Sequence, residues 1–346
     1  MTKVAIINDT HFGVRNDSST FLDYFLSFFE NQFFPYITNA NIDMVLHLGD
    51  FLDRRKYVNF NTLNKVRSRF IEPMSDMGIE FNMIIGNHDT YYRNTNEINS
   101  AKELFSNYKH FNVYEKPTTI ELDNFCLGMI PWICPENKDE VYSYLTSCNC
   151  PIICGHFELT GYEVMRGISF KGGMDDSVLK RFEKVLSGHF HNKSVQSNVE
   201  YLGSQYQMTF ADLDEKKGFH ILDTNTREIE FIENTDKMFY SINTEDIPDD
   251  YDYSVLKDKY VKVIVPTGSV KSNNSKILSI VEESSPQDLN IIEEFFVSDD
   301  STEVVDLRKD TITIINEEID DLTDNVDKDF LKKTIKDIYL EILNDE

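Results

Sequence analysis

The chain is short of positive charge. It carries 34 Lys and Arg against 60 Asp and Glu, a formal net charge of −26 at pH 7. This excludes a broad basic face that grips a polyanion by charge alone, because that grip comes from Lys and Arg. Cysteine is scarce as well: there are 5, an odd and irregularly spaced set. Cys148, Cys150 and Cys154 do not follow a zinc pattern, and most of the cysteines are expected to be reduced and partly buried, which fits the cytoplasm. No apolar run approaches the roughly 18 residues needed to span a membrane. The N-terminus lacks the charged start and apolar stretch of a secretory leader. There is no P-loop, so any ATP dependence has to come from a partner. No internal repeat or low-complexity segment is present.

Histidine, by contrast, is clustered. Of 8 in the chain, five fall in short fragments beside Gly, Asp or Asn: Asp9-Thr10-His11, Gly86-Asn87-His88-Asp89, Gly155-His156 and Gly188-His189-Phe190-His191. Gly49-Asp50 completes the set. Each fragment follows a short aliphatic run: Lys3–Ile7, Asp43–Leu48, Phe81–Ile85, Pro151–Cys154 and Lys184–Leu186. Such runs ending in Gly or Asp read as buried strands. In α/β sheets ligands gather beyond the carboxyl ends of strands, so the five ends are expected to converge. His47, inside a run, reads as a packed core histidine; His110 and His220 have no ligand neighbours.

Carboxylate, imidazole and one amide oxygen suit Mn²⁺, Fe²⁺ or Zn²⁺ ahead of Mg²⁺. Seven ligands exceed the needs of one ion. Two ions about 3.5–4 Å apart would use them all. Asp9, His11 and His191 would hold the first, and Asn87, His156 and His189 the second, with Asp50 bridging. Water bound between two such ions is deprotonated near neutral pH, which points to phosphoester hydrolysis. His88 remains over. It is expected to donate to the phosphate or to protonate the leaving oxygen, with the Asp53 carboxylate orienting it.

These residues resemble the calcineurin-like metallophosphoesterase pattern D-x-H, G-D, G-N-H-D/E, G-H and G-H-x-H, over roughly Met1 to Asp223. Within that superfamily the chain is most similar to the SbcD-type DNA repair nuclease subunits, the phage-type recombination endonuclease subunits in particular. Asp9-Thr10-His11-Phe12-Gly13, Gly49-Asp50-Phe51-Leu52-Asp53, Ile130-Pro131-Trp132 and Tyr201-Leu202-Gly203-Ser204 carry the narrower resemblance. It implies a four-layer α/β/β/α sandwich with a small α+β capping domain and a C-terminal helical tail. It also implies a Mn²⁺-dependent 3'-5' exonuclease on duplex DNA ends with single-strand endonuclease action, working in recombination and double-strand-break repair. The partners it implies are a second copy of the chain and an SbcC-like, SMC-type ATPase, in the cytoplasm of a bacterial host if the chain is phage-encoded. The alternative is a calcineurin-like phosphatase acting on phosphoproteins or small phosphomonoesters, since Gly49-Asp50-Phe51-Leu52-Asp53-Arg54 resembles G-D-x-V-D-R-G. Ile85 stands against it, where protein phosphatases carry Arg.

The acidic balance leaves three sources for a DNA grip: local basic patches, metal ions that offset the carboxylates, or a partner. Arg54, Arg55 and Lys56 form the best local patch; Lys171, Lys180, Arg181 and Lys184 are weaker candidates. At ~100–200 residues per domain, the length suits one large domain and a smaller one. Residues 1–235 are expected to form the nuclease domain, 236–298 the capping, DNA-orienting domain, and 299–346 an acidic linker with an amphipathic helix. Ser18–Asn39, Phe60–Met77 and Asn99–Asn107 read as helices of the first, and in the resembled nucleases the helices after the second and third motifs pair two subunits. Lys257–Pro266, Ser275–Glu283 and Leu289–Val297 read as a β-α-β piece. In the tail, Phe330, Leu331, Ile335, Ile338, Tyr339 and Ile342 form an apolar helical stripe, which the resemblance assigns to the ATPase.

Overall fold

A computed structural model describes residues 3–165, 168–266, 271–293, 319, 328 and 330–335. Its first compact unit comprises Met1–Met208 and Asp214–Met238. The early strands are β1 (Lys3–Ile7), β2 (Met44–His47), β3 (Glu80–Ile84) and β4 (Phe111–Tyr114). They are followed by β5 (Thr118–Glu121), β6 (Cys126–Ile130), β7 (Ile152–Gly155) and a small ribbon, β8 (Glu163–Met165) with β9 (Ile168–Ser169). Then come β10 (Lys184–Ser187), β11 (Ser194–Gln196), β12 (Val199–Tyr201), β13 (Gly218–Asp223) and β14 (Ile229–Glu233). They build two six-stranded sheets, in the orders β14-β13-β1-β2-β3-β4 and β11-β12-β10-β7-β6-β5.

Strand alternation sets the layers. In β1, Val4 and Ile6 pack with Leu46, Leu127, Met129, Ile152, Leu186 and Leu202 in one buried cluster. That cluster draws on both sheets, so they lie face to face. The far side of the second sheet packs on the helix Lys138–Ser147 through Val141 and Leu145. The far side of the first is covered by aromatic residues, among them Phe12, Phe29, Phe33, Phe51, Phe70 and Phe81, all at most 1 % exposed. This gives the α/β/β/α order of layers.

The covering helices are α1 (Ser19–Phe28), α2 (Phe34–Asn39), α3 (Phe60–Val66), α4 (Glu72–Asp76), α5 (Ser100–Phe105) and α6 (Lys138–Ser147). A π-helical turn joins α1 to α2 at Phe29–Phe33, and another joins α3 to α4 at Arg67–Ile71. In each case a proline follows within two residues, Pro35 and Pro73. Proline lacks the N–H and crowds the carbonyl four residues back, and a wider turn relieves both. Asn59 caps α3 by accepting from the N–H groups of Asn61 and Thr62.

Cys126 and Cys150 are joined by a disulfide, with their Cα atoms 5.0 Å apart. The reading of mostly reduced cysteines holds for Cys134, Cys148 and Cys154, which are free and buried. The bond has no local signal in the sequence. It depends on β6 lying beside β7, which brings together residues 24 apart in sequence.

The second unit comprises Thr209–Leu213 and Phe239–Glu346. Its sheet is parallel, in the order β15 (Phe239–Asn243), β16 (Tyr260–Val265), β17 (Asp288–Glu293), and α7 (Lys271–Glu283) connects the last two. Leu256, Val261, Val263, Ile277 and Val281 form its core. The expected β-α-β piece is there over the described residues, and 294–297 of its last run lie outside them. The strand β15 lies within the expected 236–298 domain, where the sequence reading names no strand.

Candidate metal centre

Each proposed ligand stands just past a strand end: Asp9 and His11 after β1, Asp50 after β2, Asn87 after β3, His156 after β7, His189 and His191 after β10. The chain bends sharply there. Asp9 (φ 47°), His11 (φ 40°), Asp50 (φ 59°) and His189 (φ 87°) all occupy the left-handed region, which costs a non-glycine residue about 1–3 kcal/mol. Main-chain bonds hold the bends: Asp9 N–H donates to the Gly49 carbonyl (2.9 Å) and His11 N–H to that of Asp50 (3.1 Å). Glycine is required at 86, because a Cβ there would overlap the main-chain nitrogen and carboxylate of Asp50.

The bends bring the seven side chains together. Asp9, His11 and His191 each offer one ligand atom, all within 4.8 Å of one another, and Asp50, His156 and His189 do the same. His11 Nε2 lies 3.1 Å from His191 Nε2. The Asn87 amide oxygen is 2.9 Å from His156 Nε2 and 3.0 Å from His189 Nδ1. One oxygen of Asp50, Oδ2, stands between the groups, 3.7 Å from His11 Nε2 and 3.2 Å from His156 Nε2.

The donor set fits divalent cations. His156 Nδ1 donates to the Leu48 carbonyl at 2.7 Å, so its Nε2 is the ligating nitrogen. That nitrogen faces a carboxylate oxygen and an amide oxygen, and neither can donate to it. Asp9, Asp50 and His156 are at most 1 % exposed, so this concentration of lone pairs needs a positive charge among them. Protonation shows the same demand. Burial opposes charge on His156, but Asp50 and Asp9 outweigh it and raise its pKa to about 10. Burial likewise opposes charge on His11, and Asp53 and Asp50 raise it to about 9. Burial, with His156 next, lowers His189 to about 3. Asp50 is pushed up by burial but held well below its ordinary value by His156 and His88.

His88 adjoins this set, its ring 4.8 Å from that of His11. Its main-chain N–H donates to Asp50 Oδ1 at 2.8 Å. The expected carboxylate partner is corrected. His88 Nδ1 donates to the main-chain carbonyl of Asp53 at 2.6 Å, while the Asp53 carboxylate approaches His11 Nδ1 at 3.4 Å. The turn after Asp50 directs the carbonyl at one imidazole and the side chain at the other. Burial lowers the pKa of His88.

Sequence reasoning misses Asp89. It is fully buried, and its carboxylate accepts the N–H groups of Gly86 (2.8 Å), Asp50 (2.9 Å) and Phe51 (2.9 Å). It therefore ties the Asp50 loop to the Asn87 loop. Burial, then Asp50, raises its pKa to about 7. Its place beside His88 in the Gly86–Asp89 fragment is the signal that could have found it. His47 and His220 are core histidines, each lowered to about 3 by burial.

The basic triplet is already engaged. Arg54 lies 3.3 Å from Asp17 and over the Tyr57 ring, Arg55 lies over Trp132 and Lys56 over Tyr91. With Tyr57 and Tyr91 they line a cavity of about 160 Å³. Lys180 pairs with Asp176, and Arg181 donates to the Leu145 carbonyl. In the tail, Phe330 is exposed and Leu331 and Ile335 are half-buried, whereas Ile338, Tyr339 and Ile342 lie outside the described residues. No helix among the described residues is long and apolar enough to cross a membrane.

Comparison with known proteins agrees with this geometry. The profile of the calcineurin-like phosphoesterases matches residues 2–193. The chain is 30 % identical over 345 residues to Exonuclease subunit 1 of Enterobacteria phage T4, covering 98 % of this chain and 99 % of that protein. It is 22 % identical to the SbcD component of the SbcCD nuclease of Staphylococcus saprophyticus, over 66 % of this chain and 67 % of that one. Among solved structures, an archaeal phosphodiesterase aligns at 16 % identity and a TM-score of 0.34, over 67 % of this chain and 99 % of that one. The chain belongs to the calcineurin-like phosphoesterase family.

Proposed function

We propose that the chain is a two-metal-dependent DNA nuclease, acting as a 3'-5' exonuclease on duplex ends and an endonuclease on single strands. The observation that carries this is the gathering of seven lone-pair donors in a chain similar over its whole length to a phage exonuclease subunit. Two divalent ions, Mn²⁺ first, would supply a water acidic near neutral pH and positive charge for the phosphate oxygens. Asp9, His11 and His191 would hold one and Asn87, His156 and His189 the other, with Asp50 shared.

The remaining roles belong to the chain's own residues. His88 Nδ1 is committed to the Asp53 carbonyl, so only Nε2 is left to face substrate. In the neutral ring Nε2 accepts; it donates only when the ring takes a second proton. Burial disfavours that proton, and an anionic phosphate beside the ring favours it. In that doubly protonated form His88 would donate from Nε2 to the phosphate or the leaving oxygen. Asp53 orients two imidazoles, His88 through its carbonyl and His11 through its carboxylate.

We place the chain in a recombination and double-strand-break repair complex with an SMC-type ATPase, in the cytoplasm of a bacterial host. The similarity to a protein named as one component of SbcCD supports this. Residues 299–346 would bind the ATPase through the stripe that begins at Phe330, and 236–298 would orient DNA. The chain would also self-associate. Exposed Phe60 opens α3, and exposed Tyr57 and Ile98 shortly precede α3 and α5, after the second and third motifs. Arg54, Arg55 and Lys56 would contact DNA, with metal ions and the ATPase supplying most of the grip.

The test is an assay with Mn²⁺ on end-labelled duplex DNA, beside a chromogenic phosphomonoester and a phosphopeptide, with and without the co-expressed ATPase. Shortening of the duplex is expected. Rapid monoester turnover with intact DNA would make the chain a phosphatase instead.

A further inference from the structure

Lys217 is a lysine in an unusual place: it is 5 % exposed. Its ammonium donates to the main-chain carbonyl of His191 at 2.8 Å and to the Asn192 side-chain oxygen at 3.2 Å. The same His191 carbonyl accepts the N–H of Ser204 at 3.0 Å. Two donors from separate parts of the chain thus fix one peptide group of a proposed metal ligand.

Gly203 completes the arrangement. It has φ +71°, and a Cβ there would stand 2.9 Å from the His191 carbonyl oxygen and 2.9 Å from the Lys193 nitrogen. Only glycine lets this turn lie against the His191 segment. The turn also reaches a second proposed ligand. The Asn8 amide donates to the Gly203 carbonyl at 2.9 Å and to Asp9 Oδ2 at 2.5 Å. Lys217 is anchored in turn. Its carbonyl accepts the Asn234 N–H at 2.7 Å, and it leads into β13, which pairs with β1, the strand that delivers Asp9.

We propose that Lys217 and the Gly203–Ser204 turn form a clamp that sets the position of His191 relative to Asp9, which makes Lys217 a positioning residue of the metal centre. This rests on the reading of that centre given above. A buried ammonium carries a large desolvation cost, and a positive charge beside a cation site opposes cation binding. What it contributes in return is donation: three N–H groups on a flexible stem, enough to hold the segment from two directions. The clamp also gives a reason for the Tyr201-Leu202-Gly203-Ser204 motif, none of whose side chains is a ligand.

The test measures Mn²⁺ binding to the chelator-stripped full chain by calorimetry, alongside its melting temperature. Wild type is expected to take up two ions. K217M should weaken one of them by about 10–100-fold, as is usual when a group supporting a ligand is removed, and leave the other unchanged. K217R should restore that affinity, since it keeps the donors. G203A should weaken the same ion by an independent route, and it keeps the proposal testable should K217M not fold. Binding of both ions by K217M and G203A as in wild type would refute the clamp. So would equal weakening of both ions together with a lowered melting temperature, which marks a general structural role. A wild-type chain that binds no pair of ions would refute the metal-centre reading, and the clamp with it.

Discussion

Replacing Asp89 by Asn changes one oxygen for an NH₂ group and leaves the shape almost unaltered. The carboxylate accepts Gly86 and Asp50 N–H on one oxygen and Phe51 on the other, at 2.8–2.9 Å. Whichever way the amide turns, its NH₂ faces at least one buried N–H that then has no acceptor. A bond to a charged group contributes about 1.5–3 kcal/mol, and a stranded buried donor costs about 1–3 kcal/mol. The sum is about 2.5–6 kcal/mol, at the upper end for a single substitution. Melting should fall by about 2–4 °C per kcal/mol for a unit of this size, hence by roughly 5–24 °C in all. The lost negative charge works the other way, because Asp89 sits near Asp50 and its folded pKa is raised to about 7. A carboxyl whose folded pKa lies above its unfolded value destabilises as pH climbs between the two. In the stripped protein the penalty of D89N should therefore be larger near pH 5 than near pH 8. Calorimetric melts of wild type and D89N at both values decide the matter. Equal melting temperatures, or a difference that does not change with pH, would refute the reasoning.

Metal uptake should expel protons. His11 and His156 have pKa values raised to about 9 and about 10 in the metal-free chain, so at pH 7.5 both must lose a proton to ligate, and about two protons per chain should appear in a weakly buffered dye assay. Affinity should then climb with pH up to that range; uptake without proton release would contradict the ligand assignment. His88→Ala should slow cleavage by about 10²–10⁴-fold, the span usual for acid–base groups, with Mn²⁺ stoichiometry intact; an unchanged rate would remove His88 from the mechanism. Phe60, 86 % exposed at the start of α3, should be dispensable for folding, and Phe60→Glu should convert a dimer to a monomer in light scattering. A wild-type chain already monomeric at high concentration would overturn the self-association proposal.

What the sequence discloses and what it hides divide along side chain and main chain. The ligands are legible because imidazole, carboxylate and glycine at the end of an aliphatic run are identifiable residue by residue, and β1, β2, β3, β7 and β10 all end within one residue of where those runs end. The Asp53 role is half legible. Its side chain suggests a carboxylate partner for His88, but the atom that reaches His88 is the carbonyl, which every residue possesses. Asp89 and Lys217 are silent for the same reason: their partners are the N–H groups of Gly86, Asp50 and Phe51 and the carbonyl of His191, groups that leave no mark on composition or spacing. The Cys126–Cys150 bond and β15 are hidden differently, since each depends on a neighbouring strand that the chain supplies elsewhere. It follows that the residues easiest to find here are those that would touch the ions, whereas those that aim them become visible only once the backbone is placed. Left-handed bends at four of the seven ligands make such aiming a necessity, because a strained main chain keeps its course only where buried donors and acceptors hold it.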